Sequence, residues 1–151
     1  MNRIEFLKSL GLSGASLIAF TCLGGLSSCG NKSTNDPTPL NNDVVIDLNL
    51  AENANLRNAG GSRILIQERI VIARVSQSQF VAATHVCSHQ GNAAVSFNAG
   101  LNSGAGGFSC SVHGARFSLT GVGQNSEGSA GLKIYTSQFN AQTNVLTIKA
   151  A

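Results

Sequence analysis

Two short segments of the chain each pair a cysteine with a histidine. Cys87 precedes His89 by two positions and Cys110 precedes His113 by three, and a glycine follows soon after each pair. Thiolates and imidazoles are ligands that bind zinc and iron–sulfur centres. Because both pairs lie in loop-like sequence after strand-like sequence, two loops could converge and hold a metal centre between them.

The mixed composition of each pair favours an iron–sulfur cluster over a zinc site. Zinc sites with two cysteines and two histidines usually pair like with like along the chain, whereas each segment here supplies one of each. The mixed arrangement matches a binuclear iron–sulfur cluster in which one iron binds both cysteines and the other binds both histidines. The alternatives are a structural zinc site and a Cys87–Cys110 disulfide, which is the default for two cysteines in an exported domain.

The sequence around both pairs resembles the two cluster-binding segments of Rieske proteins. Residues 84–91 (THVCSHQG) resemble the first segment, and residues 108–117 (FSCSVHGARF) resemble the second. The resemblance covers roughly residues 44–151 and is most specific over residues 84–121. It implies an antiparallel β sandwich or barrel with two cluster-binding loops.

The resemblance also implies a cofactor and its ligands. Rieske proteins hold one [2Fe–2S] cluster per domain and transfer one electron at a time, and the residues that match their ligands are Cys87, His89, Cys110 and His113. Two ferric ions, two sulfides and two thiolates sum to zero charge. Such a cluster accepts an electron more readily than a dianionic cluster with four thiolates.

Four positions depart from the Rieske proteins of cytochrome bc complexes. Asn92 and Val112 stand where that type has two cysteines joined in a disulfide, and Ala115 and Phe117 stand where it has a serine and a tyrosine that donate to cluster sulfurs. Fewer donors leave the reduced cluster less stabilised, although Ser109, Ser111 or backbone N–H groups could compensate. We therefore expect a potential in the lower part of the Rieske range of roughly −150 to +300 mV, closer to Rieske ferredoxins than to the bc type.

The other chemically active side chains do not predict a second site. His85 is expected to pack or to support a ligand, and Arg116 is expected to lie on the surface. Glu127 is the only acidic residue after Glu68, so no pair of carboxylates suggests hydrolytic acid–base chemistry. We identify no independent catalytic site and interpret the chain as an electron carrier or an oxidoreductase subunit.

The segments that must position the two loops are predicted to be β strands. Runs rich in β-branched residues alternate with short polar turns after residue 43, and no sustained helical period occurs there. The pattern predicts an all-β domain with an early hairpin around Gln67-Glu68 and a late hairpin that joins residues 132–136 to residues 145–149 through residues 140–144. The predicted strands are residues 44–48, 64–66, 70–75, 79–84, 132–136 and 145–149, with one helical turn at 51–57.

The N-terminal residues predict an export signal and a lipid anchor. Arg3 and Lys8 precede the apolar stretch 10–26, and Leu26-Ser27-Ser28-Cys29 resembles a bacterial lipobox, in which the cysteine is acylated. The start also resembles a twin-arginine signal, with Ile4 in place of the second arginine. The alternative is an uncleaved membrane anchor. We expect a signal peptide at 1–28, lipidation at Cys29, a polar tether at 29–42 and a Rieske domain at 43–151.

The charge of the chain and its expected localisation favour a redox protein as the partner over nucleic acid. Only 11% of the residues are charged, the net charge is +3, and no cluster of Lys or Arg suggests nucleic-acid binding. We expect an extracytoplasmic protein, held at a bacterial membrane through Cys29, that exchanges electrons with a redox protein. The alternative is the small Rieske subunit of a larger extracytoplasmic oxidoreductase. A chain of 151 residues is not expected to be a Rieske oxygenase on its own.

Overall fold

The computed structural model of the chain describes residues 40–150, and β strands dominate them. All the strand pairs found there are antiparallel, which confirms the predicted all-β class. The strands are β1 (Val44–Asp47), β2 (Ser62–Leu65), β3 (Ile70–Arg74), β4 (Phe80–Thr84), β5 (Val95–Asn98), β6 (Gly107–Cys110), β7 (Arg116–Phe117), β8 (Ile134–Tyr135), β9 (Ser137–Asn140) and β10 (Val145–Ile148). Short 3₁₀ helices cover Ala51–Arg57, Asn102–Gly104 and Ser126–Gly128.

The signal peptide, Cys29 and most of the predicted tether lie outside the described residues. Leu40 was assigned to the tether, yet it is only 6% exposed and packs into the hydrophobic core. The packed part of the chain therefore begins before the predicted domain boundary at residue 43. Within residues 40–150, no helix is long and apolar enough to cross a membrane.

The strands form three sheets, with the four-stranded sheet between the other two. Its strand order is β2-β3-β4-β8, and the outer sheets have the orders β1-β10-β9 and β5-β6-β7. Successive side chains on a strand point to opposite faces. In β3, Ile70 and Ile72 therefore face one outer sheet while Val71 faces the other. This placement explains why every residue of β3 and β4 is buried.

Each face of the middle sheet contributes to a separate hydrophobic core. The first core lies against the β1-β10-β9 sheet, and its buried members are Leu40, Ile46, Leu48, Leu56, Ile70, Ile72, Phe80, Ala82, Tyr135, Leu146 and Ile148. The second core lies against the β5-β6-β7 sheet, and its buried members are Val71, Val81, Ala83, Cys87, Val95, Phe108, Cys110, Ala115, Phe117 and Leu132. Both cysteines of the predicted metal site thus belong to the second core.

The structure confirms the early hairpin and corrects the strand pairing of the late hairpin. The early hairpin is confirmed, because β2 pairs with β3 around the turn at residues 66–69. The late hairpin was predicted with the wrong partner: β10 pairs with β9, and β8 instead joins β4 in the middle sheet. Strand β9 has the sequence Ser-Gln-Phe-Asn and lies at a sheet edge with two exposed positions. A half-solvated edge strand needs few apolar residues, so its hydrophobic pattern is weak.

One buried arginine connects several loops of the first core. Arg74, at the end of β3, is 8% exposed. Its guanidinium donates to the backbone carbonyls of Leu56, Arg57, Ser76 and Gln77. The same group stacks on two aromatic rings, 5.0 Å from the centroid of Phe80 and 5.6 Å from that of Phe139. Carbonyl dipoles and ring faces together compensate the buried positive charge.

Replacing Arg74 with lysine tests this role. Arg74→Lys should lower the free energy of unfolding by about 2 to 4 kcal/mol, because an ammonium group cannot reproduce the planar fork of donors. The measurement is urea denaturation followed by circular dichroism. Arg116→Lys, at an exposed position, is the control and should change stability by about 0.5 kcal/mol or less. Equal effects at the two positions would contradict the assigned role of Arg74.

Candidate metal centre

The four predicted ligands lie in two loops at one end of the β5-β6-β7 sheet. The first loop, residues 85–94, connects β4 to β5 and carries Cys87 and His89. The second loop, residues 111–115, connects β6 to β7 and carries His113, with Cys110 as the last residue of β6. The loops are neighbours because β5 pairs with β6, which places Val95 opposite Cys110. The structure therefore brings both predicted pairs together.

The same backbone turn occurs at both cysteines. The carbonyl oxygen of Cys87 accepts from the N–H of Gly91 at 2.8 Å, and that of Cys110 accepts from the N–H of Gly114 at 3.0 Å. The N–H of each cysteine also donates to the carbonyl five residues later, at 2.8 and 2.9 Å. Both glycines have φ of +72°, a left-handed conformation that favours glycine. The glycine that follows each pair is therefore part of the turn itself.

The two thiols are buried in apolar surroundings. Cys87 is 0% and Cys110 is 1% exposed, and both are free thiols in the described part of the chain. Burial raises the pKa of the Cys87 thiol, and the neighbouring Cys110 acts in the same direction, whereas the backbone N–H groups of His89 and Gln90 lower it. Thiolates at this site therefore need a positive charge beside them, which a bound metal supplies.

The two imidazoles lie on the solvent side of the thiols. His89 is exposed and His113 is partly buried. Their ring centroids are 4.9 Å apart, and the planes meet at 77°. A group bound between the loops would thus have sulfur ligands on its protein side and imidazole ligands on its solvent side.

Two buried polar atoms in these loops have no hydrogen-bond partner. Among the described residues, the buried side-chain nitrogen and oxygen atoms that lack a partner are Ser88 Oγ and His113 Nδ1. Leaving such an atom unsatisfied costs about 1 to 3 kcal/mol, and native proteins rarely tolerate it. One of the two atoms lies in each loop. An unpartnered imidazole nitrogen beside buried thiols fits a metal cluster.

His85 has a packing role, as predicted. It directly follows β4 and is 9% exposed. Its Nδ1 lies 2.7 Å from the carbonyl oxygen of Val95, and since a carbonyl can only accept, Nδ1 is the donor. This bond fixes the start of the first loop against the start of β5. Arg116 is exposed, also as predicted.

Asn125 fixes the second loop, and the sequence analysis did not identify it. Its Oδ1 accepts from the N–H groups of Arg116 and Gly128 at 2.9 and 3.1 Å, and its Nδ2 donates to the carbonyl of Gly114 at 2.9 Å. Asn125 also caps the 3₁₀ helix Ser126–Gly128. Asparagine before such a short helix is a capping signal, but no sequence pattern indicates that it also binds the loop.

Glu127, on the same short helix, places a carboxylate near the imidazole of His89. Hydrogen bonds from the hydroxyl of Ser126 and from its own backbone N–H lower the pKa of this carboxyl group, and attraction to His89 adds to the effect. Glu127 is the one acidic residue of segment 123–131.

Comparison with known families decides what the site holds. Among residues 40–150, no group of three or more His, Cys, Asp or Glu side chains surrounds a single-ion site; the candidate ligands instead form a buried cysteine pair and a more exposed histidine pair. The family model of the Rieske [2Fe-2S] domain matches residues 48–136, more than half of the chain. The chain belongs to the Rieske family. A Rieske domain binds one [2Fe–2S] cluster and transfers electrons through it. No curated protein and no solved structure matched the chain.

The departures from the bc-type Rieske proteins can now be placed in the structure. Ala115 and Phe117 are fully buried in the second core together with both cysteines, and neither side chain carries a hydroxyl that could donate to sulfur. Val112 is 55% exposed at the tip of the second loop. Asn92 is partly buried in the first loop, where its carbonyl accepts from the N–H of Cys87.

Removing the Asn125 side chain tests its role in this Rieske domain. Asn125→Ala should shorten the lifetime of the bound cluster several-fold, because three hydrogen bonds to the second loop and its neighbours are lost. The measurement is the bleaching of visible absorbance in the presence of an iron chelator. Asn140→Ala is the matched control, since Asn140 Oδ1 accepts from two backbone N–H groups in the distant β9–β10 turn. Equal cluster lifetimes in the two variants would contradict the prediction.

Proposed function

We propose that this Rieske protein is an extracytoplasmic one-electron carrier, tethered to a bacterial membrane through a lipid on Cys29. Its cluster is bound by Cys87, His89, Cys110 and His113. The observation that carries the ligand assignment is the unpartnered, buried Nδ1 of His113 beside two buried thiols. The tether is supported by the lipobox-like sequence Leu26–Cys29 after an apolar stretch.

Each of the four residues has a separate task in this proposal. Cys87 and Cys110 bind one iron inside the second core, where the N–H groups of His89 and Gln90 help to stabilise negative charge on sulfur. The two histidines bind the other iron near solvent. When bound, the cluster accepts and releases one electron at a time. The exposed imidazole of His89 gives a partner protein a short route to the metal.

The loop tip offers a contact surface beside this route. Val112 is 55% exposed next to His113, and the rings of His113 and His89 are in contact, so a partner docked over the imidazoles would also meet this side chain. The partner could be a soluble redox protein or a larger extracytoplasmic oxidoreductase in which this chain is the small Rieske subunit. A partner that stays bound through size-exclusion chromatography of the membrane extract would support the subunit over the freely moving carrier.

Metal analysis and electron paramagnetic resonance of ligand variants test the cluster assignment. Residues 30–151, produced in an iron-replete cytoplasm and purified anaerobically, should hold two irons per chain and give a Rieske-type signal after dithionite reduction. His113→Ala should abolish the signal. His85→Asn is the control, because the amide of asparagine can replace the donor to Val95, and it should keep the signal. Bound zinc or a Cys87–Cys110 disulfide in place of iron would overturn the proposal.

Fractionation of cells that produce the full chain tests the tether. The protein should enter the membrane fraction and incorporate labelled palmitate, because each acyl methylene buried in the bilayer contributes about 0.8 kcal/mol. Cys29→Ser should lose the label and leave the membrane fraction. Cys22→Ser removes the other cysteine of the N-terminal region and should keep the label. A label that persists in Cys29→Ser would contradict lipidation at this residue.

A further inference from the structure

The two cysteine turns carry serines at equivalent positions. Ser88 follows Cys87, and Ser111 follows Cys110. Because the backbone hydrogen bonds of the two turns match, both serines occupy the first position after the sulfur ligand in the same local geometry. Any difference between the two hydroxyl groups therefore comes from their surroundings and not from the turn.

The surroundings of the two hydroxyls are different. Ser111 is exposed, and its Oγ lies 3.5 Å from the carbonyl oxygen of Ala94. Ser88 Oγ is buried and has no hydrogen-bond partner among the described residues. A buried hydroxyl without a partner is unfavourable, and a satisfied one is the rule in native proteins. Ser88 therefore requires a partner that the polypeptide of residues 40–150 does not supply.

The neighbours of Ser88 indicate the chemical nature of that partner. The residue lies between Cys87 and His89, and the backbone N–H groups of His89 and Gln90 are already directed at the sulfur of Cys87. The donors of this turn thus converge on the sulfur side of the metal site. The side chains at positions 115 and 117, where bc-type Rieske proteins carry hydroxyl donors, are a methyl group and a phenyl ring here.

We propose that the Ser88 hydroxyl donates a hydrogen bond to a sulfur atom of the bound cluster and so raises its reduction potential. The proposal rests on the cluster assignment made above. A donor stabilises the reduced cluster more than the oxidised one, since the reduced cluster carries more negative charge on sulfur. Ser88 in the first loop thereby compensates in part for the donors that positions 115 and 117 lack.

The test compares side chains of equal shape with and without a hydroxyl. Ser88→Thr and Ser88→Val have nearly the same volume, so the potential of the valine variant should lie below that of the threonine variant, which should stay near the wild type. The potential is measured by redox titration of the [2Fe–2S] signal. Resonance Raman spectra provide a second readout: transfer to deuterated water should shift the Fe–S stretching frequencies less in Ser88→Val than in Ser88→Thr.

Ser111→Ala and Ser88→Ala complete the experiment. Ser111→Ala is the matched control, since it removes a hydroxyl from the equivalent turn, and it should leave the potential unchanged. Ser88→Ala removes the hydroxyl without adding a methyl group and serves if valine prevents folding; it should lower the potential. Loss of the cluster from both hydroxyl-free variants, but not from Ser88→Thr, would also support the bond.

Three outcomes would overturn either the Ser88 bond or the cluster assignment. Equal potentials and equal isotope shifts in Ser88→Thr and Ser88→Val would exclude the Ser88 bond while leaving the Rieske centre intact. The same exclusion follows if Ser111→Ala lowers the potential as much as Ser88→Ala. A wild-type protein that holds no iron would overturn the cluster assignment, and the Ser88 bond with it.

Discussion

Two sulfur atoms buried in a hydrophobic core set the main constraint on this protein. Cys87 and Cys110 lie among aliphatic and aromatic side chains of the second core, where two bare thiolates would be strongly disfavoured. An oxidised [2Fe–2S] unit held by these cysteines, as proposed, would remove this difficulty because its irons, sulfides and thiolates sum to zero charge. An electrically neutral group fits an apolar site, and nearby N–H donors would stabilise the single negative charge added on reduction.

The rest of the fold holds the two loops in register around these sulfurs. The middle sheet supplies part of the apolar surroundings of the two cysteines, since Val71, Val81 and Ala83 belong to the same core. The matched turns give each loop the same backbone path. In each loop the cysteine lies in the core, and the histidine lies closer to solvent. Asn125 adds a connection from outside the loops, by joining the second loop to the short helix that carries Glu127.

The sequence was sufficient to predict the candidate ligands but not the strands and side chains that hold the two loops in place. The cysteine and histidine spacing predicted the Rieske family, and β-branched runs predicted β3 and β4, because a strand buried on both faces is continuously apolar. Strands β5 to β7 were not predicted, since segments such as Gly-Phe-Ser-Cys are short and carry few β-branched residues. Asn125 and Ser88 were also missed. Their importance depends on which groups the folded chain places beside them, and spacing along the sequence does not contain that information.

The orientation of the candidate ligand pairs has a consequence for electron transfer in the proposed carrier. Thiols face the interior and imidazoles face solvent, while two further sheets lie behind the β5-β6-β7 sheet. Stacked sheets are about 10 Å apart, so these two sheets add roughly 20 Å of protein behind the β5-β6-β7 sheet. Electron tunnelling falls steeply with distance, so a cluster bound between the loops as proposed would exchange electrons through the same patch around His89. In a freely moving carrier of this kind, a donor and an acceptor would compete for that patch, and one would have to dissociate before the other could dock.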